Sequence, residues 1–103
     1  MKFFVCEIVY KAPLEKIEET TMEHRSFLRT GYDKGFILLS GPQVPRTGGI
    51  VIAKGESMEA VSEFFSNDPY QKKGLAEYVF IEFNPKNYQE FLKEWVEEES
   101  FEF

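Results

Sequence analysis

One cysteine and one histidine are all that 103 residues hold of the two side chains most given to binding metals. With Cys6 alone, no disulfide closes within the chain. With His24 alone, there is no His-x-x-x-His pair, and no cysteine cluster exists to hold zinc. No apolar run approaches the ~20 residues of a membrane span. The opening Lys2-Phe3-Phe4-Val5-Cys6-Glu7 meets an acid too early for the apolar core of a signal peptide. Cations are also scarce: 12 Lys and Arg stand against 18 Asp and Glu, a net charge of −6. Such a surface repels phosphate backbones and anionic bilayers, and Arg25 and Arg29 lie among acids rather than on a basic stripe. Gly48-Gly49 has neither the Walker spacing nor G-x-G-x-x-G, so it is no phosphate loop. The expectation is a cytoplasmic protein with no cofactor, no resident metal, no nucleic-acid partner and no membrane partner.

What the chain does have is aromatic mass: 11 Phe, 5 Tyr and 1 Trp, 17% of its residues. A chain of this length is one domain with a thin stability margin, and large rings are efficient at burying area in strands and interfaces. Lys2 to Tyr10 reads as a strand, with apolar side chains on both faces, hence central and covered on both sides. After Pro13, Leu14, Ile17, Thr21, His24 and Leu28 fall on one helical stripe, ended by Gly31 or Gly35. Phe36 to Leu39 is a second strand stopped by Ser40-Gly41-Pro42. Ile50 to Ala53 is a third, its hairpin partner. Ser57 caps a helix carrying Met58, Val61, Phe64 and Phe65, which Asn67-Asp68-Pro69 breaks. Ala76 to Phe83 is the fourth strand. Asn84-Pro85 then starts a helix with Tyr88, Phe91, Leu92, Trp95 and Val96 as its apolar stripe, expected to dock through Tyr88, Phe91, Leu92 and Trp95. Its acidic end, Glu97-Glu98-Glu99, sits at the negative pole, where fraying is expected.

The order βαββαβ is α+β: a ferredoxin-like four-stranded antiparallel sheet with two helices on one face, plus an extra C-terminal helix. Two helices cover one face only, so the other is expected to meet a second copy. That gives a homodimer or a higher oligomer, sheet against sheet, as a dimeric α/β barrel.

Glu23-His24-Arg25-Ser26-Phe27-Leu28, Gly35, Leu38-Leu39-Ser40-Gly41-Pro42, Gly48-Gly49, Ser57, Asn67-Asp68-Pro69-Tyr70 and Gly74-Leu75 occur in an order and spacing that resembles the YCII-related (YciI-like) family. The resemblance runs from the first strand to about Asn84, a core of about 1–84 with a C-terminal helical extension over 85–103. It implies a dimeric α/β barrel of the muconolactone isomerase superfamily and a pocket with a His–Asp pair, here His24 and Asp68. It also implies mostly unassigned functions, with dehydrochlorinase-type activity attributed to a relative.

The residues themselves leave two readings each. His24 suits proton transfer at neutral pH, with a carboxylate such as Asp68 fixing its tautomer. Equally, it is a core histidine satisfied by a backbone carbonyl. Asp68 is that partner, or the cap of an Asn-Asp-Pro turn. Ser40, Gly41 and Pro42 end a strand where backbone amides face a ligand, or they make a tight turn. Arg46 greets an anionic substrate, or is solvated. Cys6, mid-strand, is read as buried and inert. Two functional classes follow: an acid–base enzyme acting on a small, cyclic molecule by isomerisation, lactone chemistry or elimination, and a non-catalytic small-ligand-binding or regulatory module. A monooxygenase of the same superfamily is the poorer third.

Overall fold

The computed structural model describes residues 1–98. Four strands, β1 (Lys2–Tyr10), β2 (Ile37–Pro42), β3 (Gly48–Gly55) and β4 (Ala76–Phe83), form one antiparallel sheet in the order β2-β3-β1-β4. Between them run α1 (Leu14–Asp33), α2 (Met58–Phe65) and the single turn α3 (Pro69–Lys72). This is the ferredoxin-like α+β arrangement read from the sequence, with β1 central.

Alternation along β1 separates the two faces. Phe4, Cys6 and Ile8 point to the helix side and join Ile17 and Leu28 of α1, Val51 and Ala53 of β3, and Val61 and Phe65 of α2 in one core. The α1 stripe buries Ile17, Thr20, His24, Leu28 and Gly31, whereas Leu14, expected on it, is exposed in the first turn. Gly35, at φ 86°, takes the left-handed conformation that lets the chain leave α1, so Gly31 lies inside the helix rather than ending it. Ser57 caps α2, its side chain accepting from the Ala60 N–H at 3.0 Å.

Two expectations change. Ser40-Gly41-Pro42 does not stop β2. The strand continues through it, with Ser40 opposite Val51, Gly41 opposite Ile50 and Pro42 opposite Gly49. An edge strand has one unpaired side, so a proline without an N–H is accommodated there. The third strand also begins earlier than Ile50, at Gly48. A Cβ on it would stand 2.0 Å from the Ile8 carbonyl oxygen, so only glycine permits this approach to β1.

The tail differs more. No helix starts at Asn84-Pro85; a 3₁₀ turn at Glu90–Leu92 leads into α4, only Lys93–Glu97. Neither turn has a side-chain cap, and a segment this short gains too few hydrogen bonds to offset nucleation. Tyr88 and Phe91 are exposed, the latter 82%, so the four-residue docking surface reduces to Trp95 with partly buried Leu92 and Val96. Trp95 packs on Phe3 with ring centroids 5.6 Å apart, lies 4.5 Å from the Lys54 ammonium, and donates from Nε1 to the Gly35 carbonyl at 2.8 Å. Glu98 is the C-cap of α4; Glu99 and the rest of the extension, on which the expected fraying falls, lie outside the described residues.

Trp95 covers one end of the sheet face that the helices leave open. Leu39, Val79, Ile81 and Phe83 remain exposed on that face, Leu39 by 57% and Ile81 by 53%. Among the described residues no helix is long and apolar enough to cross a membrane.

Candidate functional site

His24 sits midway along α1 on the buried stripe, which aims its ring at the sheet. Asp68 arrives from the opposite direction, in the break between α2 and α3. Its Oδ1 accepts from the Tyr70 N–H at 2.9 Å, the capping contact expected of Asn-Asp-Pro. Its Oδ2 lies 2.8 Å from His24 Nδ1 and accepts the Tyr78 hydroxyl at 2.6 Å. The two readings of Asp68 are therefore both fulfilled, one by each oxygen. Pro69 at the first position of α3 fixes the turn that makes this geometry available.

All three groups around Asp68 can donate, and the residue is 0% exposed, so the arrangement suits a carboxylate that takes hydrogen bonds in place of water. Tyr78 stays a donor: burial, and then the charge of Asp68, push its hydroxyl far above the usual phenol range. With Nδ1–H directed at Asp68, the lone pair of the neutral imidazole lies on Nε2. Nε2 has no hydrogen-bond partner, yet no unpaired side-chain nitrogen or oxygen is sealed from solvent among the described residues. Nε2 is therefore accessible, although His24 as a whole is 8% exposed. The Tyr70 ring lies flat on the imidazole, centroids 4.0 Å apart and 11° between planes. That contact holds the ring orientation.

His24 opens onto a cavity of about 290 Å³ on the helix side of the sheet, between α1 and the ends of β1, β2 and β3. Ser40, Gly41, Pro42 and Arg46 all line it, so the structure brings five of the six sequence-derived site residues to one cavity, with Asp68 directly behind the imidazole. The Ser40 hydroxyl is 2.6 Å from that of Tyr32 on α1. Arg46 reaches back from the β2–β3 loop, donating from Nε to the Tyr10 hydroxyl and from NH2 to Thr21 Oγ1, both at 3.3 Å. The Tyr10 hydrogen bond raises its pKa further, so it is a permanent cation.

Four contributors were not recognised as site residues in the sequence: Tyr10, Thr21, Tyr70 and Tyr78. Thr21 was the readable one, a hydroxyl on an apolar stripe one turn before the histidine, and it lies 2.9 Å from the Tyr70 hydroxyl. Tyr78 looks like any aromatic in a strand; only the register that faces it toward Asp68 reveals it. Cys6 takes no part. It is buried, and burial pushes its thiol up to about 12. No three His, Cys, Asp or Glu side chains are grouped to hold a metal among the described residues.

Comparison with known proteins bears on the fold and the family. The structure is similar to 5-chloro-2-hydroxyhydroquinone dehydrochlorinase (TftG) from Burkholderia phenoliruptrix AC1100, solved in complex with 2,5-dihydroxybenzoquinone. The TM-score is 0.64 and the sequence identity 25%, over 81% of this chain and 91% of that one. No curated protein matches the sequence. The model of the YCII-related domain matches residues 1–84, which spans all four strands and the whole His24 cavity, and the chain therefore belongs to the YCII-related domain family.

Proposed function

We propose that this protein is an acid–base enzyme in which His24 and Asp68 move a proton on a small molecule held against Ser40, Gly41, Pro42 and Arg46. The contact that carries the reading is His24 Nδ1 to Asp68 Oδ2 at 2.8 Å, with Nε2 left for the cavity. A carboxylate bound to Nδ1–H fixes the tautomer and offsets the imidazolium that forms when Nε2 takes a proton. Such a step needs no cofactor. The electron pair freed by the lost proton either expels a leaving group, which is elimination, or takes the proton back at another atom, which is isomerisation. The similarity to a dehydrochlorinase favours elimination.

Chloride release from 5-chloro-2-hydroxyhydroquinone tests this directly. The wild-type protein should release chloride, and His24→Ala should lower the rate at least ~100-fold. Asp68→Asn should impair the same reaction, and the double variant should be no worse than the weaker single one, because the pair acts as a unit. Turnover indifferent to both substitutions would remove the base from this site. Binding that survives His24→Ala, with no turnover in either protein, would identify the non-catalytic ligand-binding module instead.

The working unit we infer is a homodimer. Its support is the open sheet face, where Leu39 on one edge strand and Val79, Ile81 and Phe83 on the other expose apolar side chains, with half-buried Val5 and Ile52 on the two strands between them. A cytoplasmic setting fits a chain whose one thiol is buried and reduced.

A further inference from the structure

The chain as a whole is acidic, at −6, yet among the described residues the cavity beside His24 is lined by two arginines and by no carboxylate. Asp68 is screened from it by the imidazole it binds. Of the two arginines, Arg25 is exposed at the rim, and Arg46 is held in place by the Tyr10 and Thr21 hydroxyls. Those contacts form a chain to the base: Arg46 to Thr21, Thr21 to the Tyr70 hydroxyl, and the Tyr70 ring stacked on His24. They engage Nε and one terminal nitrogen of the guanidinium at long range, with the Tyr70 hydroxyl also beside it, and leave part of its five N–H donors for a ligand. The nearest carboxylate, Glu18, stands 3.9 Å away on the exposed outer side of α1. An exposed pair at that separation is weak and readily displaced by an anion that arrives with its own hydrogen bonds. Opposite the Ser40 hydroxyl and the Gly41-Pro42 strand end, the wall is apolar, from Ile8, Ile50 and Val51 with the faces of Tyr10 and Tyr70. At about 290 Å³ the space suits one ring rather than two.

We infer that the substrate class of this pocket is a single-ring organic anion, a carboxylate or an ionised enol or phenol, whose charged oxygen is held by Arg46. The inference rests on the proposed function for the role of His24, but its binding half stands separately. An anion anchored at Arg46 places the rest of the ring between Tyr70 and the apolar wall, toward Nε2. Arg46 is then the residue that selects charge, and Tyr10 and Thr21 are positioning residues that act through it.

Two probes of one skeleton decide this. 2,5-Dihydroxybenzoquinone is a vinylogous acid and an anion at neutral pH; 2,5-dimethoxybenzoquinone carries no charge. Titrated into the full-length protein, the anion should bind at least ~10-fold more tightly than the diether, and its affinity should fall with added salt. Arg46→Leu should abolish that preference while leaving the diether unaffected, Arg46→Lys should restore part of it, and Arg25→Leu should have the smaller effect. An unchanged melting temperature in Arg46→Leu shows that any loss is not one of folding. Equal affinity for the two probes in wild type, or an anion preference that survives Arg46→Leu, overturns the inference. The two readings fail separately. Anion binding that depends on Arg46, in a protein without His24-dependent turnover, sinks the base and keeps the anion site. His24-dependent turnover, with no preference for the anion, does the reverse.

Discussion

Tyr78 donates its hydroxyl to Asp68 at 2.6 Å, onto the same carboxylate oxygen that faces the His24 ring. Asp68 is thus fixed from the sheet, from α1 and from its own turn at once. Tyr78→Phe keeps the ring, which packs on Phe65 with centroids 4.9 Å apart, and deletes only the donor. A hydrogen bond to a buried charge contributes about 1.5–3 kcal/mol, so chemical denaturation should register a loss of that size. Activity should fall less than in Asp68→Asn, because the Nδ1 contact remains, and the nitrogen chemical shifts of His24 should still report the Nδ1–H tautomer. A tautomer lost in Tyr78→Phe would mean that the tyrosine, and not the carboxylate alone, sets the proton position.

The pairing of His24 with Asp68 illustrates how far the sequence could be read. Spacing put His24 on the buried face of α1, and Pro69 marked Asp68 as a fixed turn, but 44 residues separate them and no local rule joins them. The ordered family segments supplied that link. The strands were legible because each is an apolar run bounded by turn residues; Ala76–Phe83 is where it was expected. Pro42 misled because its effect depends on whether the strand is an edge, which is a property of the whole sheet. The tail misled for a related reason. Its apolar spacing is helical, but Tyr88 and Phe91 find no surface among the described residues, and spacing alone does not stabilise a helix.

The open sheet face leads to a test of assembly. Ile81 lies on the edge strand β4 opposite Val5 of β1, 53% exposed, between the exposed Val79 and Phe83 on the same face. Sedimentation of the wild-type protein at micromolar concentration should give about twice the chain mass of 12.1 kDa. Ile81→Lys should give a folded monomer, since an unpaired ammonium buried between two sheets costs several kcal/mol. A wild-type protein that sediments as a monomer would leave this face without its proposed partner.

The tail can be tested by contrast. Trp95 combines the Phe3 ring contact, the Lys54 cation and a hydrogen bond to Gly35, whereas Phe91 is exposed. Removing a fully buried Trp costs about 3–5 kcal/mol, and a partly buried one less, so Trp95→Ala should cost about 2–3 kcal/mol. That corresponds to a fall of roughly 10 °C or more in melting temperature for a domain of this size. Phe91→Ala should stay within about 0.5 kcal/mol of the wild type. Equal effects of the two substitutions would show that the tail docks through a surface other than Trp95.

Cys6 offers a prediction with a definite sign. It lies mid-strand in the core, opposite Val51 on one side and Phe80 on the other, and burial raises its thiol from 9.0 to about 12. The reactive species is the thiolate. At pH 8 a thiol of pKa 9.0 is roughly one-tenth ionised and one near 12 about a thousandfold less, so a thiol reagent should label native protein about 1,000-fold more slowly than denatured protein. The same shift acts on stability. A raised folded-state pKa means that the unfolded chain loses its proton first as the pH climbs. The contribution is therefore complete below about pH 9 and is lost progressively as the pH rises toward about 12, approaching ~1.4 kcal/mol per pH unit. Cys6→Ala removes this titration while leaving the others in place. Whatever the cavity costs at neutral pH, the stability difference between the two proteins should shift by about 1 kcal/mol against the wild type between pH 9 and pH 10. Parallel stability curves over that interval, together with rapid labelling of the native protein, would place Cys6 in contact with solvent and return the thiol to consideration as a nucleophile.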